Sequence, residues 1–402
     1  MVFKCQTDSF LTEYVSKVVS CEKIMTNGQD SYEVILEDTI LFPEGGGQPT
    51  DHGFINGIPI TKVIRRADKA IHISNQPFEK GQTVKQNVEW KRRFDHMQQH
   101  SGQHLITAVI DKEFNFSTVS WWLGEEGSYI ALDTPKITNA QIEEVEIKVN
   151  QLIRDGKKVT VEVYNEDTPK EQLEQIRARG LPLDHKGDIR VINIEDLERN
   201  MCCGTHVTNL SQLQAIKLLY IEKSKKKDQS LLYFLVGHRV FKRLSECLRR
   251  EQTLTSLLKN NPSEHPNLVD KLQKSVKTLT KNMQLVLKDL AALQATNLKE
   301  THPVPKYYFN HQKEAGPDFM NTFIRELGEC KDILLFLSTG DEKLSGNFVL
   351  YGPEETVSDL GPKISELLEG KGSGKGNKFQ AKVMKMANRS KAEQLIMDHY
   401  VE

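Results

Sequence analysis

Apolar residues change their period several times along the chain, and each change predicts a new element. Up to about Val88 they fall in short β-rich runs, clearest at Tyr32–Leu36 and Pro59–Ile64, with glycines and prolines between Pro43 and Gly57 marking turns. This predicts a small β-barrel or curled antiparallel sheet. A helix is predicted over about Phe94–Lys112. A longer one covers Asn139–Asp155, where Ile142, Val145, Val149 and Ile153 recur at helical spacing. Strands are predicted at Val159–Val163, Ile189–Ile194, Ala215–Glu222 and Leu231–Val236. Helices and strands thus interleave, as in an α+β domain.

From Val240 the spacing becomes that of a heptad. Val240, Leu244, Cys247, Glu251, Leu254 and Leu258 are followed by a break at Asn260-Asn261-Pro262. Val269, Leu272, Val276, Leu279, Met283, Val286, Leu290 and Leu293 then resume it. Two helices about a short proline-containing turn read as a helical hairpin or coiled coil. Each helix offers the other a partner, so intramolecular packing is preferred to the alternative, a homodimer through the hairpin. Glu251 weakens the register of the first seam. His302-Pro303-Val304-Pro305 reads as a linker, Ile333–Leu337 and Asn347–Tyr351 as buried strands. Gly370–Lys378 reads as a glycine-rich basic loop, with a helix from about Gln380. The expected fold class is α+β: a barrel (1–88), an α+β domain (89–239), the hairpin (240–300) and a C-terminal α/β domain (301–402).

Charge and composition narrow the function without naming it. The 402 residues carry a formal net charge of −1, so a nucleic-acid partner must be held by local clusters. Lys91-Arg92-Arg93, Lys223 to Lys227, and Lys371, Lys375, Lys378 and Lys382 are the candidates. No apolar run approaches the roughly 20 residues that span a membrane, and MVFKCQTDSF has no apolar secretion core. The cytosol is therefore the expected compartment, with no membrane partner. There Cys5, Cys21, Cys202, Cys203, Cys247 and Cys330 form no disulfide framework and read mostly as small buried hydrophobes. Trp121-Trp122 reads as core packing in preference to base stacking.

Four side chains carry candidate metal chemistry. His100 and His104 stand four residues apart, on one face of the predicted helix. Ser101 occupies the place where a His-Glu-x-x-His protease carries its base, so that class is not expected. Cys202 and His206 repeat the four-residue step across Gly204-Thr205. Each pair alone has a bland reading, as a polar helix face or a packed cysteine. Together they offer one zinc a tetrahedral, borderline-soft set. His96, one turn before His100, reads as a third ligand, a partner of the ligands or a solvated residue, the last two preferred. Cys203 competes with Cys202, but only Cys202 has the step to His206.

At this point the chain resembles a known family. His100-Ser101-Gly102-Gln103-His104-Leu105 resembles the His-x3-His motif of alanyl-tRNA synthetase editing domains and free-standing AlaX proteins. Cys202-Cys203-Gly204-Thr205-His206-Val207 resembles their Cys-Gly-Gly-Thr-His-Val motif, with Cys203 in place of a glycine. Thr39 to Gln48 resembles their glycine-rich segment. The likeness runs to about Arg239, and the hairpin and tail loosely resemble the region beyond the editing domain of full synthetases. It implies an α+β zinc-binding editing domain with one Zn2+ per chain. It also implies hydrolysis in trans of tRNA(Ala) mischarged with serine, Gly-tRNA(Ala) being left open. No synthetase core precedes the motifs, so aminoacylation is not expected.

By the same resemblance, Thr39 and Gln48 are the candidates for reading the seryl hydroxyl. Locally they read only as a strand residue and a turn residue. Gly45-Gly46-Gly47 would receive the 3′-terminal adenosine along bare main chain, the bland alternative being a flexible turn. A pocket built to bond a hydroxyl discriminates far better than an apolar one. Four protein ligands ordinarily close a zinc site, so either one ligand is loose or the metal orients the substrate. The rival function is a non-catalytic, zinc-stabilised RNA-binding or protein-interaction module.

Overall fold

The single β run expected at Pro59–Ile64 is broken, and the break shapes the first sheet. Strands β1 (Glu13–Thr26), β2 (Gln29–Leu36), β3 (Gly53–Ile55), β4 (Ile58–Ile60), β5 (Val63–Arg66), β6 (Lys69–Ser74) and β7 (Thr83–Val88) follow a short helix, α1 (Lys4–Thr7). They pair in the order β4-β3-β7-β1-β2-β6-β5. The two edge strands, β4 and β5, are joined by Thr61-Lys62 alone. So short a link brings the edges together, and the sheet is nearly closed and barrel-like. A bulge between Val18 and Ser20 bends β1, which pairs with β7 through Glu13–Lys17 and with β2 beyond. Val34, Leu41, Phe42, Ile55, Ile60, Val63 and Val84 fill the interior.

The computed structural model describes residues 2–26, 28–165, 168, 176, 188–328, 332–341 and 343–400. Two compact units divide the chain, Met1–Gln252 and Thr253–Glu402. Cys330 lies outside the described residues. No described helix is long and apolar enough to cross a membrane.

In the first unit, helix α2 (Trp90–Phe114) starts four residues before the expected Phe94 and is buried almost throughout from Arg93 to Ile110. Much of that buried stretch is polar, and each amide there needs a partner. Gln98 Nε2 donates to Gln212 O at 2.8 Å, and Gln99 Nε2 to Val236 O at 2.9 Å. Arg93, expected on a basic surface cluster, is fully buried in an ion pair with Asp51 and also donates to Ser9 O and Ile40 O. It ties α2 to the barrel and is no RNA contact.

Strands β8 (Thr118–Leu123) and β9 (Ser128–Leu132) follow, then α3 (Asn139–Asp155), capped by Thr138 and Gln141 as a capping box. Next come β10 (Val159–Tyr164), β11 (Ile189–Ile194), β12 (Glu198–Met201), β13 (Ile216–Lys223) and β14 (Ser230–Val236). β10-β11-β12 form one sheet and β13-β14-β9-β8 another. Leu105, Ile106 and Val109 of α2 share a core with Val145 and Val149 of α3 and with Leu218, Leu232 and Phe234 of the four-stranded sheet. The tryptophan pair is split by the strand alternation. Trp121 is half-buried in this core, but Trp122 is 52% exposed and lies against Tyr129, so the core reading fails for it.

Helices α4 (His238–Leu258) and α5 (His265–Lys299) stand where the hairpin was expected. Leu244 and Leu254 are exposed on α4, and Leu272, Val276, Leu279 and Val286 on α5.

In the second unit, β15 (Tyr307–Gln312), α6 (Pro317–Leu327), β16 (Leu334–Gly340), β17 (Gly346–Tyr351), α7 (Glu354–Leu367), β18 (Gly370–Lys375), β19 (Lys378–Val383) and α8 (Arg389–His399) make a five-stranded sheet with helices. Its order is β15-β16-β17-β19-β18, with β15 and β16 parallel. The expected glycine-rich loop is the hairpin β18–β19, and Gln380 lies in a strand; the helix starts at Arg389. The glycines pair as an edge strand because their backbone groups find the partner that Phe379, Ala381 and Val383 anchor in the core.

Candidate metal centre

His100, His104, Cys202 and His206 converge, each offering one ligand atom, with these atoms all within 4.8 Å of one another. α2 brings the two histidines of one face. The chain after β12 brings the cysteine and the third histidine. Atoms at about 2.0–2.3 Å around one tetrahedral ion lie about 3.5 Å apart. Cys202 Sγ is 3.3 Å from His100 Nε2 and 3.2 Å from His206 Nε2, so the spacing suits a single ion.

Hydrogen bonds behind the ligands set their tautomers. Gln48 Oε1 lies 2.9 Å from His100 Nδ1 and also accepts from Thr205 N–H at 2.9 Å. An amide oxygen only accepts, so Nδ1 carries the proton and Nε2 turns its lone pair to the centre. Gln48 Nε2 donates to Thr205 Oγ1 at 2.8 Å, which fixes the amide's orientation. Ser101 Oγ accepts from Val207 N–H at 3.1 Å and lies 3.1 Å from His206 Nδ1. That oxygen has a lone pair left to accept from a His206 Nδ1–H, the tautomer that turns Nε2 to the centre. Partners of this kind hold ligand orientation and raise ligand basicity.

Close approach is bought with glycine. A Cβ on Gly204 would stand 2.2 Å from His100 Cε1, so only hydrogen fits there. Gly45 and Gln48 exchange backbone bonds, N–H to O at 3.2 and 3.1 Å, across Gly46 and Gly47. Both central residues have positive φ, 58° and 78°, as a tight hairpin turn demands. The turn is packed rather than loose: a Cβ on Gly47 would meet Trp121 Nε1 at 2.4 Å.

Burial sets the electrostatics. It holds His100 and His206 well below the usual imidazole range, with the neighbouring imidazoles and Arg190 adding to the effect. These rings are neutral and keep their lone pairs. Burial also pushes the Cys202 thiol up to about 12, with Cys203 adding and Arg190 opposing. A thiol so placed ionises only against a cation, and a bound metal replaces its proton. Arg190 Nη1 donates to Cys202 O at 2.7 Å, and its Nε to Gln6 O at 2.8 Å. Gln6 Nε2 in turn donates to Cys203 O.

The other expected site residues are placed differently. Thr39 is buried in a separate network: its Oγ1 lies 2.8 Å from His72 Nε2, donates to Gln86 Oε1 at 2.8 Å and accepts from Leu41 N–H at 3.0 Å. His96 is only 5% exposed, so it is not solvated, and it is no member of the cluster. Cys203 also lies outside the cluster, its sulfur facing Gly46. Arg190, Thr205 and Gln6 were not singled out from the sequence. Arg190 carried a faint signal, an arginine in a mostly apolar run; Thr205 stood only as part of the Gly204-Thr205 link, and Gln6 carried none.

Residues 189–232 match the family model described as the threonyl and alanyl tRNA synthetase second additional domain. That stretch contains Cys202 and His206. Over 98% of this chain and 97% of the relative, the sequence is 48% identical to alanyl-tRNA editing protein Aarsd1-B of Xenopus laevis. It is 30% identical to the putative alanyl-tRNA editing protein alaX of Saccharomyces cerevisiae over 96% of this chain and 93% of that one. The alanyl-tRNA editing protein AlaX-L of Pyrococcus horikoshii matches at 30% identity over 68% of this chain and 66% of its own length. Identity of this order along nearly the whole length is family membership: the chain belongs to the alanyl-tRNA editing proteins.

Proposed function

We propose that this chain is a zinc-dependent hydrolase that acts in trans on Ser-tRNA(Ala), Gly-tRNA(Ala) being left open. The observation that carries the reading is the meeting of three imidazoles and one thiol, preset for an ion, in a chain whose relatives are named for alanyl-tRNA editing. His100, His104, Cys202 and His206 would hold one Zn2+, which would anchor the aminoacyl end of the substrate.

The remaining work belongs to the protein. Gln48 and Ser101 hold two ligand rings in the binding tautomer. The Gly46-Gly47 turn presents bare backbone for the 3′-terminal adenosine, and Cys203 and Trp121 close behind it. Thr39 is assigned the reading of the seryl hydroxyl, because its buried hydroxyl has one proton and faces two acceptors, leaving room to exchange partners. The RNA body meets basic elements: the turn from Lys223 to Lys227, and the β18–β19 hairpin, where Lys371 faces Lys382 and Lys375 faces Lys378. Like charges directly opposite one another destabilise a sheet unless an anion offsets them. A translation substrate suits the expected compartment, the cytosol. The exposed heptads of α5 fit a homodimer, which sedimentation of the full chain against Leu279→Asp tests.

The deciding assay is deacylation of Ser-tRNA(Ala) before and after chelation, with zinc added back. Turnover that vanishes and returns supports the proposal. A second reading has one observation in its favour: four protein ligands are the usual set of a structural zinc. Under it the chain binds RNA without hydrolysing the ester, and the same assay separates the two.

A further inference from the structure

The sheet β13-β14-β9-β8 carries a row of aromatic rings, one from each strand. Between ring centroids, Trp122 of β8 lies 5.8 Å from Tyr129 of β9, and Tyr129 lies 5.4 Å from Tyr233 of β14. Tyr233 stacks at 4.7 Å on Tyr220 of β13. Trp122 is paired with Tyr129, and Tyr129 with Tyr233, so strand alternation puts these three on one face. Tyr220 joins them through an irregularity, since the register of β13 shifts between Leu218 and Ile221. A bulge gives up ladder pairing and re-aims a side chain, and here the side chain delivered is the fourth ring.

Cross-strand aromatic pairs stabilise a sheet, but an aromatic ring contributes most when it is buried. Trp122 and Tyr220, at the two ends of the row, are each 52% exposed. The surroundings fit unpaired bases. Every base has a π-face, and aromatic platforms bind single strands by stacking, with cations alongside for the backbone. Lys223, Lys225, Lys226 and Lys227 are exposed at the end of β13 and in the turn to β14, where Asp228 is the one acid. Glu222, next to these lysines, is engaged by the row itself and accepts from Tyr233 OH at 3.1 Å. Glu125 and Glu126 lie at the opposite end of the sheet, in the turn between β8 and β9. The face thus has a basic border and an acidic one, and an RNA strand laid along the row keeps its phosphates on the lysine side.

The row is also connected to the metal centre. β8 is an edge strand of the sheet, and its consecutive tryptophans point to opposite sides. Trp122 points outwards, whereas Trp121 lies against Gly47 of the glycine turn, whose neighbour Gln48 holds His100. A single strand that leaves the turn has only one strand edge to round before it meets Trp122.

We propose that Trp122, Tyr129, Tyr233 and Tyr220 form a stacking platform for the unpaired bases next to the 3′-terminal adenosine of the tRNA. Four-stranded sheets bind single-stranded RNA in this way, with about two or three bases on outward aromatic rings. The assignment rests on the hydrolase reading above, since it takes that adenosine to lie on the Gly46-Gly47 turn.

The test uses the full chain with Trp122→Leu and Tyr220→Leu, singly and together. Leucine keeps apolar bulk and removes the ring, whereas Trp122→Phe keeps a ring. Phe54→Leu, which removes an exposed ring on the barrel, is the control. Binding is measured across salt concentrations for tRNA(Ala) with its unpaired 3′ nucleotides and for the same tRNA trimmed of them. Trp122→Leu should bind the intact tRNA about tenfold more weakly, as expected for one stacked base, and the double variant about a hundredfold more weakly. The log–log salt slope should stay that of wild type, because no phosphate contact is lost. Trp122→Phe should recover most of the affinity, and Phe54→Leu should change it less than twofold. Trimmed tRNA should bind all variants alike. In deacylation, KM should rise with kcat nearly kept.

An affinity for intact tRNA that the double variant leaves unchanged overturns the proposal. So does a loss that Trp122→Phe shares with Trp122→Leu, or that trimmed tRNA shows equally, because either marks damage to the sheet and not a lost stack. Self-association of wild type that the double variant abolishes at constant RNA affinity makes the row a protein contact and also overturns it. A wild type that binds the unpaired end through these rings but never deacylates keeps the platform and removes the hydrolase reading.

Discussion

Gln48 and Thr39 stand in one glycine-rich segment, yet they serve different networks. Gln48 reaches across to α2 and to Thr205, and its amide is committed to the ligand ring of His100. Thr39 stays within the barrel, bonded to His72 of β6 and Gln86 of β7. The first is a positioning residue for the metal centre. The second has no part in holding the ligands. Adjacency in a motif is therefore no sign of a shared role. The turn at Gly46-Gly47 reverses the chain between the two residues and sends their side chains to different partners.

Cys202→Ala sets the scale for this comparison. It removes the soft ligand, and deacylation should fall at least about a hundredfold together with loss of zinc, read by metal analysis and turnover of Ser-tRNA(Ala). Zinc retained at full stoichiometry would sink the four-ligand set. Gln48→Leu comes next. It strips the acceptor from His100 Nδ1–H and should weaken zinc binding by about 10–100-fold in a competition titration. Gln48→Glu keeps an acceptor oxygen and should restore most of that affinity, which loss of packing alone would not predict.

Thr39→Val should leave zinc affinity within about twofold while slowing hydrolysis of the seryl ester by about tenfold, the worth of one hydrogen bond. If zinc binding falls as far as it does in Gln48→Leu, the two networks are one, and the comparison fails. A further expectation concerns stability. Burial lowers His72 from 6.5 to about 4. At neutral pH the ring is uncharged in both folded and unfolded chains. As pH falls from 6.5 towards 4, the unfolded chain takes up a proton that the folded one refuses. Stability is therefore lost in that window, by up to roughly 3 kcal/mol, and is level above it. Urea midpoints at pH 7 and 5 should converge more in His72→Gln than in wild type; equal slopes would show that the ring is not held neutral by burial.

Legibility differed between elements for physical reasons. α3 was readable to the residue, because one apolar stripe faces the core and Thr138 and Gln141 mark its start. α2 was readable in the middle but not at its start, since its buried face is built from amides and imidazoles that satisfy one another and leave no apolar period. β1 was missed because its bend gives its two halves different neighbours, with Val15 and Val19 left exposed. The β18–β19 hairpin was misread because glycines and lysines signal a loop, and only the partner strand makes them an edge.

For the site, the four donors were legible in the chain alone: a four-residue step puts donors on one side of a helix or a tight turn whatever surrounds them. Tertiary packing settled everything that depends on atoms distant in the chain. It brought Cys202 within 3.3 Å of His100, set the His100 tautomer through Gln48, buried Arg93, read as part of a basic surface cluster, and buried His96, for which a solvated place was one of two preferred readings. Spacing is a local property of covalent geometry, whereas burial and hydrogen-bond pairing belong to the packed fold as a whole.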